Sequence, residues 1–207
     1  MSEQITEDSH SLHDVIFSRR SIRRYRPEPV PHQMVEDLLQ AAIWSPSAHN
    51  RQPWRFAVVE TQAQKVELAQ AMGAQLRRDL AADGVPEEVI EADAGRSYSR
   101  ITNSPVLILL CVSMADMDVY ADERRNHQEY MMAVQSVAMA GQNILLAAHD
   151  FGLGACWMCA PLFCPDVVKD TLNLPDDWQP QALLTVGYPA ETREKTRKPL
   201  ETSVMWR

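Results

Sequence analysis

Residues 129–150 carry Met131, Met132, Val134, Val137, Met139, Ile144, Leu145 and Leu146 on nearly all sides of what their spacing predicts as one long helix. A helix with no wide polar face must be covered all round, by its own domain or by a second subunit. The run Val106–Val112 is apolar at every position, the pattern of a strand buried on both faces. The sheet that contains it must therefore be covered on both sides.

The remaining segments supply helices. In residues 31–45 the apolar positions Met34, Val35, Leu38, Leu39, Ala42 and Ile43 recur at helical spacing behind Pro31, and a short strand over 54–60 should follow. Residues 62–83 and 86–102 read as two charged helices separated by the breaker Asp83-Gly84. A short helix over 14–20, a strand over 152–157, a helix over 165–172 and a last strand over 182–186 complete the pattern. Helices dominate and strict strand–helix alternation is absent, so the class is α+β. No repeat and no linker-like stretch divides the 207 residues, which are expected to form a single domain.

Charge narrows the function classes. Twenty Lys and Arg stand against 28 Asp and Glu, a net charge of −8, which argues against a general affinity for nucleic acid or anionic membrane. The longest uninterrupted apolar run is Val106–Val112, whereas a bilayer span needs roughly 20 residues, so no transmembrane helix is expected. The first 12 residues are acidic and polar, unlike a secretory signal, and the four cysteines do not form a disulfide-framework pattern. A cytoplasmic, reduced protein is expected.

Three polar features stand out. Five of the sixteen arginines (19, 20, 23, 24 and 26) fall within eight residues of this acidic chain, a cluster whose self-repulsion is costly without an anionic partner. They could merely complement the end of a short helix. Guanidinium forks beside Ser21 also suit phosphate oxygens, through charge-assisted hydrogen bonds. Near the other terminus, Arg193, Lys195, Arg197 and Lys198 read either as a solvated basic tail or as a second half of the same anion site. Between them, residues 45–56 (S-P-S-A-H-N-R-Q-P-W-R-F) form a polar turn in which prolines flank Asn50 and Gln52, whose amides both donate and accept. Such groups suit a neutral heterocycle, or simply cap a helix-to-strand loop.

The motifs R-R-S-I-R and S-P-S-A-x-N-x-Q-P-W-x-F, followed by G-L-G-A-C-W at 152–157 and K-T-R-K-P at 195–199, together resemble the nitroreductase family of FMN-dependent oxidoreductases. The stretch 152–183 looks most like the flavin-reductase domain that is fused, in some bacteria, to the ligase of deazaflavin-coenzyme biosynthesis; no ligase domain is present in these residues. The resemblance implies a small mixed, largely antiparallel sheet flanked by helices, in an intertwined homodimer. It implies that Arg19, Arg20, Ser21 and Arg23 hold the FMN phosphate and ribityl chain, with Lys195 and Arg197 closing on the phosphate. Ser47, Asn50 and Gln52 would face the flavin from the partner subunit, and Trp157, Met158, Cys159 and Ala160 would lie beside the ring. Cys159 stands where the family often has glycine or an acidic residue. NAD(P)H would visit the flavin pocket transiently, since G-L-G-A-C-W lacks the third glycine of a dinucleotide fingerprint. A small organic electrophile such as a nitroaromatic or quinone would then take the electrons in ping-pong fashion, with no catalytic acid among the residues.

Two other readings follow from the residues. Cys156-x-x-Cys159 with Cys164 could be a redox dithiol or a zinc site, but no second C-x-x-C or paired-histidine motif accompanies it, and buried or pocket-lining thiols without metal are expected. His49 reads as a structural hydrogen-bonder. A flavin-binding carrier or sensor without turnover, or a reductase of a deazaflavin-coenzyme intermediate, stand as the alternative functions.

Overall fold

The computed structural model describes residues 11–207; the N-terminal stretch read above as lacking a signal falls almost wholly outside them. Along the chain run α1 (Leu12–Ser18), α2 (His32–Ile43), β1 (Trp54–Val59), α3 (Gln62–Ala82), α4 (Glu87–Thr102), β2 (Val106–Val112), α5 (Glu123–Asp150), β3 (Gly154–Met158), α6 (Pro165–Leu172) and β4 (Gln179–Gly187). The four strands lie in the order β1-β2-β4-β3 and pair antiparallel throughout. An isolated bridge between Ser21 and Ala155 adds a parallel contact outside β3. The sheet is antiparallel with one parallel bridge at its edge, in keeping with the largely antiparallel sheet expected, and the class is α+β.

Strand alternation divides the interior in two. Trp54, Ile108, Leu110 and Leu184 face α2 and α5, and Val59, Leu107, Leu109 and Leu183 face α3, α6 and Ile101 of α4. Every residue of β2 is buried, as a strand covered on both faces requires. Gly141 lets α5 approach the sheet closely, because a Cβ there would stand 2.3 Å from the Trp157 ring and 2.6 Å from Leu110.

α5 begins six residues earlier than the apolar pattern suggested. Asp122 caps it, its carboxylate accepting from the Arg125 N–H, so the first turns are polar and exposed. By length and a mean hydropathy of 1.3 over its most apolar window this helix could cross a membrane, although it has no long uninterrupted apolar run. Ala133, Val137, Ala140, Ile144 and Ala148 are buried in the interior instead, so the apolar content serves a core. Met131 and Met139 remain 41% and 39% exposed. One chain does not cover this helix all round.

The segment after α1 is pinned to the sheet edge. The Ile22 N–H donates to the Ala155 carbonyl at 3.0 Å, and the Tyr25 hydroxyl lies 2.6 Å from the Ile22 carbonyl and 2.7 Å from the Thr185 hydroxyl. Gly154 makes this fit possible, since a Cβ there would stand 2.7 Å from the Ile22 Cβ. Gly154→Ala is therefore expected to destabilise the fold by about 1–3 kcal/mol, the usual range for overpacking. At about 2–4 °C per kcal/mol for a chain of this size, thermal unfolding reads the change directly; an unchanged midpoint would show that the segment is not held against Gly154.

Candidate active site

Pinning at Ile22 places residues 19–23 along the outside of β3, next to the start of the strand. Arg19, Ser21 and Arg23 are each half-buried there. Burial disfavours the Arg19 cation, and the nearby charges of Arg197 and Arg20 disfavour it further, so its pKa falls below the ordinary arginine value. The two basic clusters, almost 180 residues apart in sequence, thus come within electrostatic reach of one another. Arg197 comes from the exposed C-terminal segment, as does Lys195.

The Arg20 Nη1 donates to the carbonyls of Phe17 at 2.7 Å and Arg19 at 2.9 Å, closing the end of α1, while its buried Nε has no partner. The helix-end reading accounts for the hydrogen bonds of this side chain.

α4 supplies a cation that no motif announced. The charges of Arg23, Arg100 and Arg19 all reach the Cys156 thiol, which places Arg100 among the site's guanidinium groups. A cleft of about 790 Å³ opens between Arg23, Arg24, Lys65, Arg96, Arg100 and Arg193. Arg96 and Arg100 lie on one helix face four residues apart, in a segment whose charge suggested only a solvated surface.

Glu191 ties this region together. Its carboxylate accepts from the Arg23 N–H at 2.9 Å and from Arg193 at 2.7 Å. Burial would raise its pKa, but the hydrogen bonds from Arg193 and Arg23 outweigh burial and hold it below the ordinary value. The resulting stabilisation is present above the unfolded glutamate pKa of about 4.3 and is lost as pH falls through the lower folded pKa. Hydrogen exchange at the Arg23 amide should accordingly be slow at neutral pH and lose protection in acid below that range. Equal protection on both sides would contradict the anchoring role.

Trp157 and Met158 point to opposite faces of the sheet, and Cys159 and Ala160 follow outside it. The Trp157 indole packs toward α5, and its Nε1 donates to the exposed Cys159 Sγ at 3.2 Å. Met158 packs on the opposite face, and Ala160 opens a short 3-10 helix, Ala160–Phe163, against β4. The thiols do not converge. Burial raises Cys156 and Cys164, and it pushes Cys111 up to about 12, which keeps these three as neutral thiols at physiological pH.

The polar turn lies elsewhere. The Ser47 hydroxyl accepts from the Gln52 N–H at 3.0 Å, and the Ala48 N–H donates to Ser136 of α5 at 3.2 Å. Arg51 pairs with Asp118, and Arg55 with Asp116 at 3.2 Å, so the turn is tied to the segment after β2. His49, Asn50 and Gln52 adopt left-handed backbone angles with φ of 50°, 54° and 51°. Asn50 and Gln52 are exposed.

Register fixes the distance between these two regions. The turn precedes Trp54, which pairs with Val112 beside Gln179, whereas Ser21 bridges Ala155, which pairs with Val186. They stand at diagonal corners of the sheet, on the order of 25–30 Å apart by strand spacing and rise. Within one chain the arginine strip meets the C-terminal basic segment and α4, but not Ser47, Asn50 or Gln52.

Comparison with known proteins fits this architecture. A "NADH dehydrogenase" of Thermus thermophilus is 32% identical over 216 aligned positions, covering 92% of this chain and 93% of that one. A structure from Desulfovibrio desulfuricans, described as a nitroreductase and solved in complex with FMN, superposes with a TM-score of 0.74 at 26% identity, covering 96% and 97% of the two chains. A BluB-like flavoprotein from Clostridium difficile shares the fold with a TM-score of 0.76 at 22% identity, over 96% of this chain and 99% of that one. The family model for nitroreductases matches residues 16–188, and the chain belongs to the nitroreductase family.

Proposed function

We propose that this protein is an FMN-dependent oxidoreductase that moves a hydride from NAD(P)H to a small organic electrophile, a nitroaromatic or a quinone. The observation that carries this reading is the half-buried Arg19 guanidinium beside the Ile22–Ala155 pairing, disfavoured as a cation by burial and by the charges of Arg197 and Arg20. An arrangement of this kind is stabilised by a dianion, and a terminal phosphate is one. FMN in the Desulfovibrio relative and NADH in the name of the Thermus relative support the cofactor and the electron donor.

Hydride acceptance at one face and its delivery from that face is the chemistry FMN supplies when bound. The residues of this chain bind and orient. Arg19, Arg20, Ser21, Lys195 and Arg197 would hold the phosphate and the adjoining chain, with Arg23 and Arg100 placing positive charge along the same strip. Trp157, Met158, Cys159 and Ala160 would offer their backbone beside the ring, with the Trp157 indole fixed by its packing on α5. Donor and acceptor would use one open pocket in turn, a ping-pong order that needs no separate dinucleotide fold.

Ser47, Asn50 and Gln52 complete the site only if they come from a second copy, because their own chain holds them at the far corner of the sheet. A homodimer also accounts for the uncovered side of α5 and for the exposure of Phe17 at 65% and Trp44 at 80%. We place this dimer in the cytoplasm. The purified protein should release FMN, not FAD, on denaturation, at one per chain. A colourless protein that cannot be reconstituted with FMN would overturn the proposal.

A further inference from the structure

We propose that His49, Asp118 and Glu129 bind one divalent first-row transition-metal ion, which ties the polar turn to the start of α5. Their ligating atoms, one from each side chain, all lie within 4.8 Å of one another. They come from three separate elements: the turn before β1, the segment after β2, and the second turn of α5.

Glu129 is the observation that points to a ligand. Its side chain is buried, at 3% exposure, and its Oε2 has no hydrogen-bond partner. An ionised carboxylate oxygen in that state carries a desolvation cost that a bound cation removes. His49 forms no ion pair with either carboxylate among the described residues, so the gap between the three groups is not closed by a direct contact. Arg51 pairs with the Asp118 Oδ1. A cation of that kind beside a ligating carboxylate orients it, as outer hydrogen bonds do at metal centres, and leaves its second oxygen for the ion.

The donor set selects the metal class. One imidazole and two carboxylates suit zinc, manganese or iron in the divalent state, with water in the remaining positions. Bonds of about 2.0–2.2 Å bring ligand atoms to roughly 3–4 Å from one another. His49 on an exposed turn and Asp118 on an irregular segment can close that small difference, while Glu129 stays fixed by its helix. The Ala48 N–H already ties the turn to Ser136 of α5, and the ion would add a second tie.

Equilibrium dialysis of tag-free, chelator-treated protein against Zn²⁺ and against Mn²⁺, followed by elemental analysis, tests the site. One ion per chain is expected. His49→Ala, Asp118→Asn and Glu129→Gln should each weaken binding at least about ten-fold, the smallest effect that changes around metal ligands usually have. Zn²⁺ should raise the thermal midpoint of the parent protein and not that of the variants. Asp118→Asn keeps the test open should the change at buried position 129 impair folding, and circular dichroism identifies that case. Absence of binding to the parent would overturn the proposal. So would binding that survives all three substitutions and disappears in Cys159→Ser, because the ion would then sit on the exposed thiol.

Discussion

Arg19→Ala is expected to weaken FMN binding by ten-fold or more, and Arg197→Ala by a similar factor. Each substitution removes a charge-assisted hydrogen bond worth about 1.5–3 kcal/mol. The pair also repel one another in the absence of an anion, since Arg197 is among the causes that lower the Arg19 pKa. Removing either therefore relieves the other, and the double variant should lose less than the product of the single effects. A role confined to binding predicts a signature that a structural role would not give. FMN affinity should fall while the thermal midpoint of the FMN-free protein holds. Isothermal titration and thermal unfolding of the same preparations provide both quantities; unchanged affinity in both variants would mean that the clusters are surface charge.

Mixing two inactive variants should restore activity. Arg19 and Asn50 occupy diagonal corners of one chain, so the site proposed above takes one residue from each of two copies. When Arg19→Ala and Asn50→Ala chains pair, one site carries both defects and the other carries neither. Random pairing after joint refolding makes half of the dimers mixed, with one good site of two, so about a quarter of parental activity should return by this counting. The reference is the same total protein refolded separately. No recovery in demonstrated mixed dimers would put both residues in the same chain's site.

Where the physics is local, the sequence carried the fold. Val106–Val112 read as a doubly buried strand because every position is apolar, and it lies at the centre of the sheet. The start of α5 was not legible from periodicity because its first six residues are polar and their signal is the Asp122 cap. β4 extends to Gln179, beyond the expected 182, through Pro180. That proline lies where the pairing with β2 shifts register at Leu110/Cys111, and a residue without an N–H is tolerated at such an irregularity. β3 starts late because Gly152, at φ 74°, still ends α5, with its N–H donating to the His149 carbonyl.

The candidate site was legible in parts for the same reason. Unusual local density of arginine marked residues 19–26, and the structure joins that strip to Arg197. Arg100 was not legible, because a single arginine on a charged helix carries no local signal, and only the packing of α4 brings it to Cys156. Glu191 was invisible likewise: its role depends on the Arg23 N–H, 168 positions away in sequence. The separation of Asn50 from Arg19 is a property of strand order, which no motif encodes.

Anaerobic titration of the purified, FMN-loaded protein with NADH and with NADPH tests the central claim most directly. Oxidised-flavin absorbance should bleach with one equivalent of at least one of these donors and return on addition of a quinone or a nitroaromatic, with the acceptor reduced in proportion. Flavin that stays oxidised with both donors, or that is reduced but passes no electrons to any such acceptor, would contradict the account and identify the protein as a flavin carrier or sensor.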